Sequence, residues 1–366
     1  MKRIINCALL VLSLGLVHCG TTKSIGSASV QGSIVQEGFF TCFDKGLQMA
    51  GKPVWCEASA IVFDGQKLFI ANDKDMPGKN SSIYYRPFAN GFADTAHQPT
   101  YLNNAFLKKA TKFEDFALTP NRDYIIVTTA FDRTKPGTTE WDGFNSICYW
   151  PVGQENNVRV INRNNRDSTS TSLRSSISRL LANDSFPKGM PYFKMEGLAV
   201  ANKKLYWGVR EEGKRFDDFK YKTKIISVSY EIDNGRLILD NDFEVLADMD
   251  LKVLAPELPA NMGLSSIEYD PIRNRFWILT SLEAEGKLGA YLWMANFGDL
   301  RKSRMQLVRK ADGSPLRFSN KAEDLCLLDN NTLLVIHDDD RVKTTVNGMV
   351  RSENQAAYSL VKLVAR

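Results

Sequence analysis

Three glutamates and two serines recur in this 366-residue chain at the head of similar short stretches. Glu114 opens EDFALTPNRDYIIVTTAFDR, Glu196 opens EGLAVANKKLYWGV, and Glu323 opens EDLCLLDNNTLLVIHDDDR. Ser59 opens SAIVFDGQKLFIANDKD, and Ser265 opens SSIEYDPIRNRFWILTSLE. If these five side chains meet, three ionised carboxylates repel strongly at low dielectric, unless some hold protons or a cation sits among them. An all-oxygen set suits a hard ion. It suits Ca2+ over Mg2+, because Ca2+ accepts many ligands in a flexible cage. The expected metal set is therefore Ser59, Glu114, Glu196, Ser265 and Glu323, with Ca2+ as cofactor. The competing use of the same residues is a joint, in which each glutamate accepts backbone hydrogen bonds from the neighbouring unit.

A second group of charges closes the same stretches: Asp73 and Asp75, Asp132 and Arg133, Arg210, Glu283, and Asp338 to Arg341. Arginines there can grip phosphate or carboxylate bidentately, and aspartates can hold a metal or orient water. Asp73, Asp75, Arg133, Arg210, Asp338 and Arg341 are the expected ligand-binding residues. The alternative is a rim of salt bridges between loops. The chain has three histidines, His18, His97 and His337, and no EF-hand loop, CxxC pair or HExxH. A histidine-based metal site or catalytic triad is poorly supported, and no catalytic residue is assigned.

The stretches themselves reveal what positions these groups. Each is an alternating strand, a turn rich in Asn, Asp or Gly, and a second strand of β-branched and aromatic residues. Their starts are 55, 82, 69 and 58 residues apart. That spacing fits one four-stranded propeller blade plus loops, a little above the ~40–50 residues of common blade families. SIYYRPF, SICYWPV, NVRVIN, KIISVSYEI, RLILD and AYLWMANF supply third and fourth strands. The last unit lacks a strand, which the N-terminal segment around EGFFTCF can provide, closing the ring and removing sheet edges. The expectation is an all-β, five-bladed β-propeller, with six blades open because the 82-residue unit has room for another. In a propeller the first strand of each blade lines the channel, so the repeat-start residues form a ring. The ends of the second strands collect around one mouth.

The net charge of +5 gives no case for nucleic acid. The segment MKRIINCALLVLSLGLVHCG has two basic residues, an apolar run and then Cys19. That is the layout of a secretory signal. The domain reading is a signal peptide over 1–18, a flexible tether over 19–36, and a propeller over 37–366 with a Ser/Arg-rich surface insertion around 162–190 carrying a short helix. Cys42 and Cys56 flank a short loop and either pair or stay free. Cys148 and Cys326 read as small buried hydrophobes.

Three resemblances follow from these residues. The placing of Cys19 after LVH resembles a bacterial lipoprotein signal, which implies lipidation at Cys19 and a place in the bacterial cell envelope, periplasmic or at the surface, with simple secretion as the alternative. CEASAIVFDGQKLFIANDKD and KMEGLAVANKKLYWGVREEGKR resemble an uncharacterised family of bacterial β-propellers related to esterase-like and phytase-like propellers, which implies the fold and no established activity. The Ser, Glu, Glu, Ser, Glu order and HDDDRV are similar to the calcium-activated nucleotidases (apyrases), which implies an axial calcium. The expected function is a lipid-anchored propeller binding a small anionic ligand or an envelope protein at the mouth. The alternative is a calcium-dependent hydrolase of phosphorylated compounds.

Overall fold

The computed structural model describes residues 30–88, 98–163, 167–284, 287–340 and 343–364. The expected signal segment, Cys19, His97 and Arg341 lie outside the described residues. Five antiparallel sheets form a closed ring, a five-bladed β-propeller. The inner strands are Ala58–Phe63, Phe113–Leu118, Tyr192–Ala201, Met262–Asp270 and Ala322–Asp329, heading blades 1 to 5. The long second unit does not hide a sixth blade. Its excess is an outer strand Arg159–Val160, a turn of 3-10 helix Thr171–Leu173 and a helix Arg174–Leu180. That insertion is docked rather than loose, with Leu173, Ile177 and Leu181 buried between blades 2 and 3.

The first described strand, Gln31–Thr41, pairs with the last, Gln355–Val364, as the outer strand of blade 5. Residues 31–36, expected in the tether, are therefore strand. Cys42 and Cys56 form a disulfide just after this strand. Cys148 and Cys326 are buried thiols. Apolar residues alternate along the strands, so each sheet buries both faces against its neighbours. The result is five clusters, one between each pair of adjacent blades. Trp150, Trp207, Trp277 and Trp293 are the largest fully buried side chains.

Every inner strand slips register by one residue, and the slip falls at Ser59, Glu114, Glu196, Ser265 and Glu323. Each repeat-start residue is thus the extra residue of a β-bulge. A bulge sets two residues against one on the partner strand and re-aims a side chain. It lets Glu114 and Asp115, or Glu323 and Asp324, both approach the axis.

The second members of these pairs hold the ring together. Asp115 of blade 2 accepts from the backbone N–H of Leu198 in blade 3 at 2.7 Å and of Ile267 in blade 4 at 3.2 Å. Asp324 of blade 5 accepts from Ile61 N–H in blade 1 at 2.7 Å and from Ser266 Oγ in blade 4 at 2.5 Å. Burial pushes both carboxyls up, Asp324 to about 8, and at Asp115 the charge of Asp324 adds to the effect.

Asp115→Asn keeps the acceptor and removes a buried charge, since Asp115 Oδ1 has no hydrogen-bond partner. A carboxyl raised in the folded state favours folding below the ordinary aspartate pKa and loses that contribution as pH rises towards the folded value. The melting temperature of Asp115→Asn relative to wild type should therefore rise with pH from about 4 upward. Asp115→Ala strands two buried N–H donors and should cost about 2–6 kcal/mol at pH 4, at ~1–3 kcal/mol per donor, a cost that shrinks as pH rises and wild type loses the contribution of its protonated carboxyl. Urea melts across that range check both.

Candidate functional site

Above the stapling aspartates, the three ring glutamates sit among the chain's own cations. A lysine precedes each by two residues, in Lys112-x-Glu114, Lys194-x-Glu196 and Lys321-x-Glu323. Lys321 Nζ lies 2.8 Å from Glu323 and 3.1 Å from Glu283. Lys194 is paired with Glu196 and lies 3.4 Å from Glu114. Lys112 bonds Asp132 at 2.7 Å and stands 3.9 Å from Glu114. Ser59 takes no part, because its hydroxyl donates to the Phe113 carbonyl at 2.6 Å and ties blade 1 to blade 2.

Arg210 supplies the cation of the fourth sector. It is 1% exposed, lies 3.0 Å from Glu196, and donates to Ser265 and Ser281 at 3.1 and 2.8 Å. Its stem fills the space beside Gly263, where a Cβ would come within 2.7 Å of Arg210 Cγ. Arg210, expected among the ligand-binding residues or in a rim of salt bridges, is buried beneath the mouth and paired with Glu196.

Electrostatics divide the ring. Burial pushes Glu114 well up, against the pull of Lys194. Burial also raises Glu323, to about 7. Glu196 is lowered despite burial, because Arg210 and Lys194 face it. Four basic side chains, Lys112, Lys194, Arg210 and Lys321, already attend three ring carboxylates. The hydroxyls of Ser59 and Ser265 are engaged with protein partners. This donor set does not fit a divalent cation on the axis.

Ser59, Glu114 and Glu323 of the ring line a cavity of about 420 Å³ at the mouth, whereas Glu196 and Ser265 do not reach it. Asp73, Arg133 and Asp338 lie on its wall, whereas Asp75 is exposed and does not line it. Arg133 is engaged bidentately with Asp132 at 3.0 and 2.7 Å and stacks on Phe144 at 4.4 Å. Lys74 is paired with Asp73 and lies 3.1 Å from Glu57. Glu57, Asp338 and Asp340 bring carboxylate oxygens within 4.8 Å of one another at this mouth.

Aromatic residues that no reading of the sequence singled out form another wall. The second and third strands of blade 3, Lys204–Arg215 and Asp218–Asp233, run on past the ring to a turn at Phe216 and Asp217. Phe216, Phe219, Tyr221 and Tyr192 all line the cavity. The signal was present in strand alternation, since Tyr192, Lys194, Glu211, Gly213, Phe219 and Tyr221 share one face.

The sequence matches no family model and no curated protein. Solved structures similar to it include a PQQ-bound aldose sugar dehydrogenase from Streptomyces coelicolor, at 10% identity and TM-score 0.39 over 92% of this chain and 99% of that one. A glycosyl hydrolase from Bacteroides ovatus matches at 8% and 0.42, over 90% and 94%. A GH62 hydrolase in complex with xylotriose matches at 10% and 0.44, over 88% and 97%. At such identities nothing of their chemistry passes to this chain.

Truncating one partner of a buried ion pair leaves the other uncompensated, at about 3–5 kcal/mol. Arg210→Ala should therefore destabilise the protein by that amount. Chelation followed by added Ca2+ should leave the wild-type melting temperature unchanged. A rise of several degrees on adding Ca2+, absent in Glu196→Gln, restores the metal reading of the ring.

Proposed function

We propose that the protein binds a small hydrophilic ligand at the mouth of its central channel. The observation that carries this reading is Glu114 Oε1. It belongs to a residue only 5% exposed that lines the cavity, and it accepts no hydrogen bond, with Lys194 at 3.4 Å and Lys112 at 3.9 Å as its nearest cations. A buried polar atom left without a hydrogen bond costs free energy, and such groups concentrate where a ligand completes them. The cavity volume, within the range of ligand sites, supports the same reading.

A hydrolytic reading has one observation in its favour. Glu323, raised to about 7, and Glu196, held ionised, share one ring. Carboxyls pushed apart in this way serve as acid and base in hydrolases. The other nucleophile–base contact, Ser359 Oγ to His337 Nε2 at 2.9 Å, is sealed in the core.

A thermal-shift panel of phosphate, citrate, ATP, glucose, Ca2+ and spermidine tests the binding reading. At least one compound should raise the wild-type melting temperature by several degrees and do so less in Glu323→Gln. Loss of every shift in wild type, or shifts equal in both proteins, overturns it. Hydrolysis of p-nitrophenyl phosphate or ATP by wild type, abolished in Glu323→Gln, replaces binding with catalysis.

The lipid on Cys19 remains part of the proposal, supported by the sequence pattern alone. Cys19→Ala should move the protein from the detergent phase to the aqueous phase in Triton X-114. Equal partitioning of both forms removes the anchor.

A further inference from the structure

We propose that the mouth takes a flexible organic cation, an alkylammonium of the oligoamine type, seated between the aromatic wall of blade 3 and the carboxylates of blade 5. This rests on the binding reading above and names its ligand class.

The wall is built by strand register. Tyr192 pairs with Gly213, and Gly213 pairs with Phe219, so these three stand in one row across three strands. Gly213 has no side chain, and a Cβ there would collide with the backbone of Asp218 and Phe219. The Tyr192 and Phe219 rings meet across the gap at 5.9 Å. In the next row Lys194 faces Glu211 and Glu211 faces Tyr221. Phe219 and Tyr221 pack edge to face at 5.3 Å. Tyr221 already receives the Arg210 guanidinium at 5.2 Å from its ring centre, and Phe216, at the tip, is 70% exposed. In blade 1 the second strand ends at Asn72, one residue beyond the partner of the bulge flank. Blade 3 continues six residues past Val209, roughly 20 Å at strand rise. The extension serves the mouth, since it covers no core.

Charge selects among ligands. Eight carboxyl groups line the cavity against five basic side chains. Burial raises three of the eight, Glu114, Glu323 and Asp338, so that a bound cation rather than a bound anion is what would draw their protons off. Each of those five cations has a carboxylate in ion-pair range. An anionic ligand would meet cations that are already paired with carboxylates, the half-exposed Lys74 and Arg133 included, and a neutral one would leave Asp338 and Asp340 without a counter-charge. Asp338 and Asp340 have no ion-pair partner among the described residues, and Asp338 is 4% exposed. On the same cavity the buried Glu114 Oε1 stands in ion-pair range of Lys194 and Lys112 but accepts no hydrogen bond. A bare metal ion would use the oxygens but gain nothing from the four aromatic rings. An alkylammonium uses both, by charge-assisted hydrogen bonds to the carboxylates and by cation–π and methylene contact with the rings.

Calorimetric titration of the soluble protein with spermidine tests this, with citrate, glucose and Ca2+ as anionic, neutral and inorganic probes. Spermidine should bind tightest. Tyr221→Leu and Phe216→Ala should each weaken it about threefold to tenfold. Asp338→Asn should weaken it by about tenfold or more. Phe216 is exposed, so its variant reports on the wall even if Tyr221→Leu fails to fold. Spermidine binding unchanged in Phe216→Ala and Asp338→Asn is surface association and overturns the proposal. So does Ca2+ binding at least as tightly, with no effect of Phe216→Ala. Citrate or glucose binding that depends on Asp338, with no spermidine binding, overturns the cation and leaves the mouth as the ligand site.

Discussion

Two carboxyl groups on the propeller axis gather the five blades. Asp115 and Asp324 between them accept from Ile61, Leu198, Ser266 and Ile267, so blades 1, 3 and 4 hang on side chains of blades 2 and 5. Inner strands of a propeller have no sheet partner on their channel side, so their backbone donors need acceptors from elsewhere. Here two aspartates supply them. Their own cost is burial of charge, met by protonation well above the usual carboxylate range.

The β-bulge makes room for a second tier above this staple. Because the register slips at the same place in every blade, the residue before each stapling position turns towards the mouth. The tier is built from lysine–glutamate pairs, with Arg210 reaching over Gly263 to fill the sector where no lysine stands. Paired, hydrogen-bonded charges are the form in which ionic groups survive burial. The ring is thus internally balanced, and its glutamates face lysine and arginine side chains rather than the backbone donors of a joint.

How much of this was legible in the sequence depends on what the pattern encodes. The blades were readable because strand alternation and turn chemistry repeat, and EGFFTCF was readable as the closing strand because the last unit lacked one. The short helix of the insertion was readable, but its docking through Leu173, Ile177 and Leu181 was not, because three apolar anchors are few against a polar segment. Asp115 and Asp324 stood beside the chosen glutamates, yet strict two-residue alternation assigns neighbours to opposite faces. Only a bulge brings both inward, and no residue type announces one. The Lys-x-Glu repeat was visible at three positions. What it means depends on strand geometry, because residues two apart share a face and can neutralise each other. Arg210 looked like a rim residue because its burial follows from an empty Gly263 in the next blade.

Balance in the ring also decides where a ligand's charge can act. Three glutamates without lysines would make the axis the strongest cation site in the molecule. With lysines in place, the axis is close to neutral, and among the described residues Asp338 and Asp340, on the same cavity as the aromatic extension of blade 3, have no ion-pair partner. Like charges there raise Asp338, with burial the larger cause. The sequence thereby separates two demands that one ring of acids would confuse. Cohesion of the blades is assigned to groups that are buried and paired. The proposed recognition falls to groups at the mouth, which are less completely paired.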